Sequence, residues 1–403
     1  MEEILHGIRV LDFSRYRAGP TCSQILGDMG ADVIRVERPG GEEDRRLEPL
    51  SPGRVGAPGG QSYYLMFTSR NKKAITLNLT KSKGKEILKE LVKQSDVVIE
   101  NFGPQVNKRL GLDYESLKKI KPDIIVTSVS AYGQYGPYAS RLGFDGIAQA
   151  MSGLMSITGF PQGPPVKSGV SWIDTSTGVY GTLGILFALY HREKTGEGQL
   201  VDVCLLDTAV SFMESFIAEY EVANETHPQV GNSHTYVGPC DAYKAKDGYF
   251  FLHIAGNAIW SRFLKMMGRD ELASAPRFQT DHDRARPENR QFFHDWLNEW
   301  AAEKTVDEVV SQCAEAGVPC GRVNTMAEVA ADPHIRAREM LVEVEHPGVG
   351  KVPLVGIPIK FSRTPGRIKT IHPLLGQHNN EIYCGLLGYT DQELIQFKEE
   401  GVI

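Results

Sequence analysis

The sequence predicts an α/β protein in which a large domain with a mostly parallel sheet is joined to a smaller domain. Over the first 210 residues, short apolar runs of strand type alternate with helical stretches. Strands that alternate with helices imply right-handed crossovers and therefore a doubly wound, parallel sheet. After residue 222 the chain becomes polar and rich in turn residues (NETHPQVGNSHTYVGP), which is typical of a linker into a second domain.

Five stretches of the first part have strand character. IRVLDFS (8–14) and ADVIRVE (31–37) are short and apolar, and ITLNL (75–79) alternates with the period of two expected of a strand. DVVIEN (96–101) and DIIVTSVSAYG (123–133) are continuous apolar runs, as found in strands that are covered on both faces. We predict that these runs are strands of a mostly parallel sheet.

Helices are predicted between and after these strands. The first ends at Gly30, KSKGKEILKELVKQ (81–94) has amphipathic spacing, and a long pair follows at about 175–192 and 205–222. Beyond the linker we expect one strand, 247–255, helices at about 258–267, 287–302, 305–316 and 391–400, and edge-strand character over 342–362. The predicted boundaries are 1–225 for the N-terminal part of the large domain, 226–330 for the small domain and 331–403 for a segment returning to the large domain.

Composition and charge exclude several classes of protein. The net charge of −6 gives no basic footprint for nucleic acid. The longest apolar run, Val179–Tyr190, has 12 residues, whereas a bilayer needs about 20. The N-terminus lacks the apolar core of a signal peptide, and the six cysteines lack the spacing of metal ligands. We therefore expect a cytoplasmic protein with reduced thiols, no metal and no membrane partner.

Three common catalytic or nucleotide-binding motifs are absent. The chain has no G-x-G-x-x-G and no G-x-x-x-x-G-K-[ST], so the phosphate cradles of NAD and P-loop proteins are missing. It also lacks G-x-S-x-G, which argues against an α/β-hydrolase. Arg38 and Arg109, however, each follow a predicted strand, where open α/β sheets bind their ligands. They could meet a phosphate-bearing ligand there, or they could be solvated surface charges.

Asp174 begins an apolar helical run in VSWIDTSTGVYG. An aspartate at such a position commonly caps the helix by accepting backbone N–H bonds. The partial positive charge of a helix N-terminus also favours the ionised carboxylate, so that Asp174 could serve as a nucleophile. The two roles are compatible, and the residues alone do not choose between them.

Eight stretches together resemble the class III coenzyme A-transferases, the family of formyl-CoA transferase and carnitine CoA-transferase. They run in family order over nearly the whole chain: GIRVLDFSRYRAGP (7–20), LGDMGADVIRVERPG (26–40), NKKAITLNL (71–79), DVVIENFGPQVNKRLGL (96–112), SAYGQYGPYASRLGFD (130–145), WIDTSTGVYG (172–181), KTGEGQLVDVCLLD (194–207) and LGQHNNEI (375–382). The resemblance implies a Rossmann-like large domain, a smaller α+β domain and an interlocked dimer, either a homodimer or a related heterodimer.

The resemblance also implies an activity, the transfer of CoA from an acyl-CoA donor to a carboxylic acid. Asp174 occupies the position of the family's catalytic aspartate and would attack the thioester. A mixed anhydride and CoA thiolate would form first, then an aspartyl-CoA thioester, and CoA would leave on the new acid. Coenzyme A takes part as a substrate, and no tightly bound cofactor is implied.

Nine further residues match binding positions of the family. Arg38 and Arg109 match arginines on the adenine or phosphate side of CoA, and Leu77 matches the lining of the adenine pocket. Asn101 and Phe102 match residues beside the pantetheine. The family positions nearest the reacting acyl group are occupied in this chain by Arg17, Ala18, Phe144 and Asp145.

Two departures bear on the substrate. Formyl-CoA transferase carries a run of glycines where this chain reads GNSHTYVGP (231–239), which argues against oxalate. It also has glutamine at the position of Arg17. An arginine there suits an acid with a second carboxylate, because a guanidinium pairs with such a group through two hydrogen bonds. Succinyl-CoA as donor, with a dicarboxylic or aryl-succinate acceptor, would fit, and so would a structural pairing of Arg17 with Asp12 or Glu37.

Two alternative functions stay open at this stage. An α-methylacyl-CoA racemase shares the fold and the aspartate, but uses the histidine of a G-H-D motif as its second acid or base. This chain reads Gly143-Phe144-Asp145, and phenylalanine cannot transfer a proton. The other alternative is a non-catalytic CoA-binding subunit of a hetero-oligomer, against which the presence of Asp174 argues.

Overall fold

The computed structural model describes residues 3–47, 62–346 and 350–403, which divide into two compact units. Unit 1 comprises Met1–Ser152, Ser168–Met213 and Pro333–Ile403, and unit 2 comprises Gly153–Lys167 and Glu214–Asp332. Unit 1 therefore receives the two ends of the chain, and every predicted site residue lies within it. No helix among the described residues is long and apolar enough to cross a membrane.

Unit 1 is built on a parallel sheet of six strands. These are β1 (Arg9–Asp12), β2 (Asp32–Glu37), β3 (Lys72–Thr76), β4 (Val97–Glu100), β5 (Ile125–Ser130) and β6 (Leu200–Cys204). Their order is β3-β2-β1-β4-β5-β6, and each neighbouring pair is parallel. The predicted α/β class with a parallel sheet is confirmed. The chain reverses its direction of winding between β1 and β4, which is where such sheets open a crevice at the carboxyl ends of their strands.

Both faces of this sheet are buried. Leu11 and Val98 belong to one apolar cluster, whereas the preceding residues Val10 and Val97 belong to another, and all four side chains are fully buried. Successive side chains of a strand point to opposite faces, so the two clusters lie on the two sides of the sheet. This double burial explains why the strands read as unbroken apolar runs.

Helices and a small hairpin complete unit 1. The helices are α1 (Ala18–Asp28), α2 (Tyr63–Thr68), α3 (Ser82–Lys93), α4 (Pro104–Leu110), α5 (Tyr114–Lys118), α6 (Asp145–Met151), α8 (Trp172–Thr195), α9 (Leu205–Ser211), α16 (Pro333–Ala337) and α17 (Asp391–Glu399), with α7 and α10–α15 in unit 2. Strands β10 (Leu341–His346) and β11 (Gly350–Val355) pair antiparallel. The C-terminal segment is tied to the sheet, since the Tyr383 hydroxyl donates to the Thr76 carbonyl at 2.6 Å.

Unit 2 combines a three-stranded antiparallel sheet with helices. Its strands are β7 (Cys240–Ala245), β8 (Gly248–His253) and β9 (Cys320–Arg322), in that order. Its helices are α7 (Leu154–Ile157), α10 (Phe216–Ala223), α11 (Asn257–Met267), α12 (Asp281–Arg284), α13 (Pro287–Ala301), α14 (Val306–Glu315) and α15 (Met326–Ala331). Phe250, Phe263 and Phe293 form the centre of its own core.

Two predicted elements differ from the structure. The third strand covers Lys72–Thr76 and not 75–79, because the Asn78 N–H bonds to the Val402 carbonyl at 2.8 Å and leaves the sheet. The helix predicted over 205–222 is broken, since Glu214 has a φ of 50°, in the left-handed region that ends helices.

Candidate active site

The loops after β1 and β4 meet at the crevice of the sheet and are tied together. The Asn101 side chain accepts from the Arg15 N–H at 2.9 Å and donates to the Arg15 carbonyl at 2.6 Å. The Arg15 guanidinium also lies over the Phe102 ring, 4.8 Å from its centre. Asn101 thus fixes the backbone of the two loops with respect to each other.

A cavity of about 280 Å³ opens at these loops. It is lined by six of the ten predicted site residues: Arg17, Ala18, Asn101, Phe102, Phe144 and Asp174. Among the described residues that line it, Asp174 is the single acidic side chain, and none is a histidine, cysteine or lysine. The cavity therefore offers one carboxylate as its nucleophile or base.

Asp174 lies in the first turn of α8, but a different residue caps this helix. Asp145, at the start of α6, accepts the N–H groups of Ile173 at 2.9 Å and Asp174 at 3.1 Å. Asp145 is buried, and its other oxygen accepts from Gln149 at 2.5 Å. The capping role considered for Asp174 thus belongs to Asp145, which lies behind the cavity wall.

The carboxylate of Asp174 accepts no hydrogen bond from any residue that the structure describes. Burial and the nearby charge of Asp145 raise the pKa of Asp174 to about 7, while the positive charge of Arg17 opposes this rise. A carboxylate without hydrogen-bond donors keeps its lone pairs available for attack. Its raised pKa also makes it more basic, and so more nucleophilic, than an ordinary aspartate.

Arg17 faces the same cavity without a counter-ion. Its guanidinium lies over the rings of Tyr64 and Phe67, at 5.0 and 5.2 Å from their centres, and it forms no salt bridge within the described chain. The pairing considered with Asp12 or Glu37 does not occur, because Asp12 binds Lys72 at 2.9 Å and Glu37 binds Arg35 and Arg45. Arg17 also shares a side-chain hydrogen bond with Tyr64 but has no acidic partner among the described residues, so its charge can pair with a carboxylate of a ligand.

Four predicted residues do not line the cavity. Besides Asp145, Leu77 is buried in the core, where its N–H donates to the Glu37 carbonyl at 2.6 Å. Arg38 is exposed and pairs with the neighbouring Glu42 and Glu43. Arg109 is exposed in the last turn of α4 and forms no salt bridge with a described residue. Of the two predicted phosphate ligands, Arg109 is therefore the one without an acidic partner among the described residues.

Helices α1 and α8 approach each other closely beside the cavity. A side chain at Gly178 would place its first carbon 2.6 Å from the Ala18 carbonyl oxygen, far inside van der Waals contact. A first side-chain carbon at Gly181 would likewise lie 3.3 Å from the sulfur of Cys22. Glycines at these two positions let the helix of Asp174 pack against the first turn of α1.

Sequence reasoning missed three residues of this site: Tyr16, Asp44 and Glu100. Tyr16 lines the cavity with a φ of 62°, and its N–H donates to Asp44 at 3.0 Å. Glu100 is fully buried and accepts the N–H of Phe102, a cavity-lining residue, at 2.8 Å, and burial raises its pKa to about 7. Of the three, only Glu100 could have been singled out from the sequence, because it is an acidic residue at the end of an apolar strand.

The cavity contains no metal-binding arrangement of side chains. Within the described ranges, no group of three or more His, Cys, Asp or Glu residues could hold a metal ion. The site chemistry that these residues support is that of one carboxylate, one unpaired arginine and the N-terminal ends of two helices.

Comparisons with known proteins place these observations in a wider set. The model of the family described as CoA-transferase family III matches residues 5–379. The chain is 37% identical over 401 residues to succinyl-CoA–D-citramalate CoA-transferase of Chloroflexus aurantiacus, covering 99% of this chain and 98% of that protein. It is also 37% identical over 417 residues to formyl-CoA:oxalate CoA-transferase of Streptomyces coelicolor, covering 99% of both.

A solved structure shares the fold. A CAIB/BAIF family protein from Brucella suis superposes with a TM-score of 0.83 at 34% identity, covering 96% of this chain and 100% of that one. The likeness therefore extends over nearly the whole chain.

Proposed function

Because the chain belongs to CoA-transferase family III and is a CoA-transferase, we propose that it moves CoA from succinyl-CoA to a dicarboxylic acid through covalent intermediates on Asp174. The observation that carries this proposal is the cavity itself, in which Asp174 is the one acidic side chain among the described lining residues. CoA thioesters are its substrates, and the chemistry requires no further cofactor.

The first half-reaction forms and then resolves a mixed anhydride. An oxygen of the Asp174 carboxylate attacks the thioester carbonyl carbon, the C–S bond breaks, and CoA leaves as a thiolate. The thiolate then attacks the side-chain carbonyl carbon of Asp174, which releases succinate and leaves an aspartyl-CoA thioester. No net proton is consumed, because a carboxylate enters and a carboxylate leaves.

The second half-reaction runs the same steps with the acceptor. The acceptor carboxylate attacks the aspartyl thioester, giving a second mixed anhydride and CoA thiolate. Attack of the thiolate on the acceptor's carbonyl carbon forms the new acyl-CoA and restores the Asp174 carboxylate. The backbone N–H groups of Ala18 and Gly19, at the start of α1, have no partner within the described chain, and would stabilise the negative charge on the tetrahedral oxygen.

The choice of substrate rests on Arg17. Two relatives at equal identity differ in their acids, so overall similarity does not select one. The guanidinium of Arg17 lies at the cavity without a counter-ion among the described residues, and its fork matches the second carboxylate of a succinyl group. The absence of a catalytic histidine from the lining, with Phe144 in its place, disfavours racemase chemistry.

One experiment tests the route and the substrates together. The protein is incubated with succinyl-CoA or formyl-CoA and a panel of mono- and dicarboxylic acids that includes oxalate, and new CoA thioesters are identified by mass spectrometry. Hydroxylamine added during turnover should convert the activated aspartate to a hydroxamate at Asp174. Exchange only with formyl-CoA and oxalate would overturn the substrate proposal, and full turnover by Asp174→Ala would overturn the mechanism.

We also propose that the active protein is a dimer and that it works in the cytoplasm. Helix α8 exposes an apolar row formed by Val179, Leu183, Phe187 and Tyr190, with exposed fractions of 43, 40, 69 and 60%. Four large apolar side chains on one helical face are suited to burial against a second subunit. The six free cysteines suit a reducing compartment.

A further inference from the structure

Tyr16, one residue before Arg17, is held in an unfavourable backbone conformation. Its φ of 62° lies in the left-handed region, which a bulky residue keeps only where its surroundings enforce it. Its ring meets Phe144 edge to face, with the ring centres 5.9 Å apart. The conformation of Tyr16 determines the direction in which the chain enters α1, and therefore where Arg17 points.

Asp44 supplies the contact that enforces this conformation. One of its oxygens accepts the Tyr16 N–H at 3.0 Å across 28 residues of sequence. Asp44 is fully buried and receives two hydrogen bonds from Arg35, at 2.7 and 2.9 Å. Arg35 is itself fully buried and donates to Ser69 at 3.0 Å. Asp44 is thus a fixed acceptor, anchored by the sheet, on which the loop after β1 is fastened.

We propose that Asp44 is a positioning residue of the active site, which aims Arg17 at the cavity by holding Tyr16 in its left-handed conformation. The inference rests on the proposed function of Asp174 and Arg17, and goes beyond it by assigning a role to a residue that does not line the cavity. Losing the Asp44 contact would let Tyr16 relax to a negative φ and swing the guanidinium of Arg17 away from Asp174.

This displacement has a distinctive signature at Asp174. The groups whose charges act on Asp174 are Asp145, which disfavours its ionised form, and Arg17, which favours it, with Tyr64 beside Arg17. Moving Arg17 away therefore makes Asp174 harder to ionise. Direct loss of the negative Asp44 would act in the opposite direction, so a rise in the ionisation midpoint reports on Arg17.

The experiment measures this midpoint in the substrate-free protein. A carbodiimide and an amine modify protonated carboxyl groups, and peptide mapping by mass spectrometry follows the labelling of Asp174 against pH. We expect Asp44→Ala and Arg17→Gln each to raise the midpoint by about 0.5–1 pH unit, and the double variant to rise no further than Arg17→Gln. Asp44→Asn keeps an oxygen that can accept the Tyr16 N–H, so it should raise the midpoint less than Asp44→Ala does.

A matched control separates positioning from stability. Asp28 forms a comparable buried pair with Arg70 at 2.7 Å, and Asp28→Ala should leave the midpoint unchanged. If Asp44→Ala does not fold, Tyr16→Val, which disfavours the left-handed region, should give the same rise. An unchanged midpoint in a folded Asp44→Ala, or additive shifts in the double variant, would overturn the proposal. Because no substrate is present, this outcome is independent of whether CoA transfer is found.

Discussion

Asp145 accepts the backbone N–H of Asp174 at 3.1 Å, so that one carboxylate caps the helix on which the other is presented. The cap leaves the side chain of Asp174 unbound, and it places a second negative charge nearby. Hydrogen bonding and charge thus act together, because the arrangement that leaves the carboxylate of Asp174 free also raises its pKa above the ordinary value for aspartate.

The first prediction concerns the pH dependence of the reaction. Asp174 has to be ionised to attack, and its pKa is raised to about 7 by burial and by Asp145. We expect kcat/KM for the acyl-CoA donor to increase with pH up to about 7 and then to level off. Asp145→Asn should move the midpoint to lower pH, since it removes the like charge but keeps an oxygen for the cap. A profile that is flat from pH 5 to 9 would contradict this account.

The second prediction concerns stability. The folded pKa of Asp174 lies above its ordinary value of 3.8, so the unfolded chain loses the proton first and stability falls as the pH rises through about 4 to 7. Asp174→Asn abolishes this loss. The difference in the free energy of unfolding between Asp174→Asn and the wild type should therefore favour the variant by roughly 2 kcal/mol more at pH 8 than at pH 5. Urea denaturation of both proteins at the two pH values measures the difference, and an equal gain at both would refute it.

The third prediction concerns the second carboxylate of the substrate. If Arg17 binds it, Arg17→Gln should lose activity with dicarboxylic acids by roughly tenfold to a hundredfold more than with monocarboxylic acids, since a charge-assisted pair is worth about 1.5–3 kcal/mol. Steady-state rates with matched acid pairs measure the ratio. An equal loss of activity with both classes of acid would indicate that Arg17 holds the loop or the CoA in place and does not bind the second carboxylate of the acid.

Some of this site was predictable from sequence and some was not. Apolar runs such as DVVIEN located the strands because both faces of the sheet are buried, and the family resemblance pointed to Asp174, which the structure places in the cavity. The cap by Asp145 spans 29 residues and the contact between Tyr16 and Asp44 spans 28. Neither contact leaves a local sequence pattern, because the residues around an aspartate do not show whether its carboxylate is hydrated or accepts a hydrogen bond from an N–H group far away in the sequence.

The fourth prediction concerns the phosphates of CoA. Arg109 has no described counter-ion, whereas Arg38 pairs with Glu42 and Glu43. Loss of one phosphate contact should cost about 1.5–3 kcal/mol, so Arg109→Ala should raise KM for acyl-CoA roughly tenfold or more. Arg38→Ala should have a smaller effect, because a phosphate would have to displace existing partners. Unchanged KM values in both variants would show that both arginines are surface charges.

The fifth prediction concerns the exposed row on α8. Phe187→Glu places a charge in a face that we expect to be buried between subunits. Sedimentation velocity should show the wild type as a dimer and this variant shifted to monomer. Tyr249→Glu, at an aromatic residue of unit 2 that is 51% exposed, serves as the matched control and should remain a dimer. Dimers of equal stability in all three proteins would rule out α8 as the interface.

The glycine contact between α1 and α8 also governs which walls of the cavity can deform. With Gly178 pressed against the Ala18 carbonyl, Asp174 and the loop of Arg17 share one closely packed frame. Leu142 and Phe144, which also line the cavity, are 93% and 63% exposed and so are less constrained by packing. If the proposed function holds, we expect adaptation to acids of different length to fall to the Leu142–Phe144 segment, so that a change in substrate range arises there without moving Asp174 relative to Arg17.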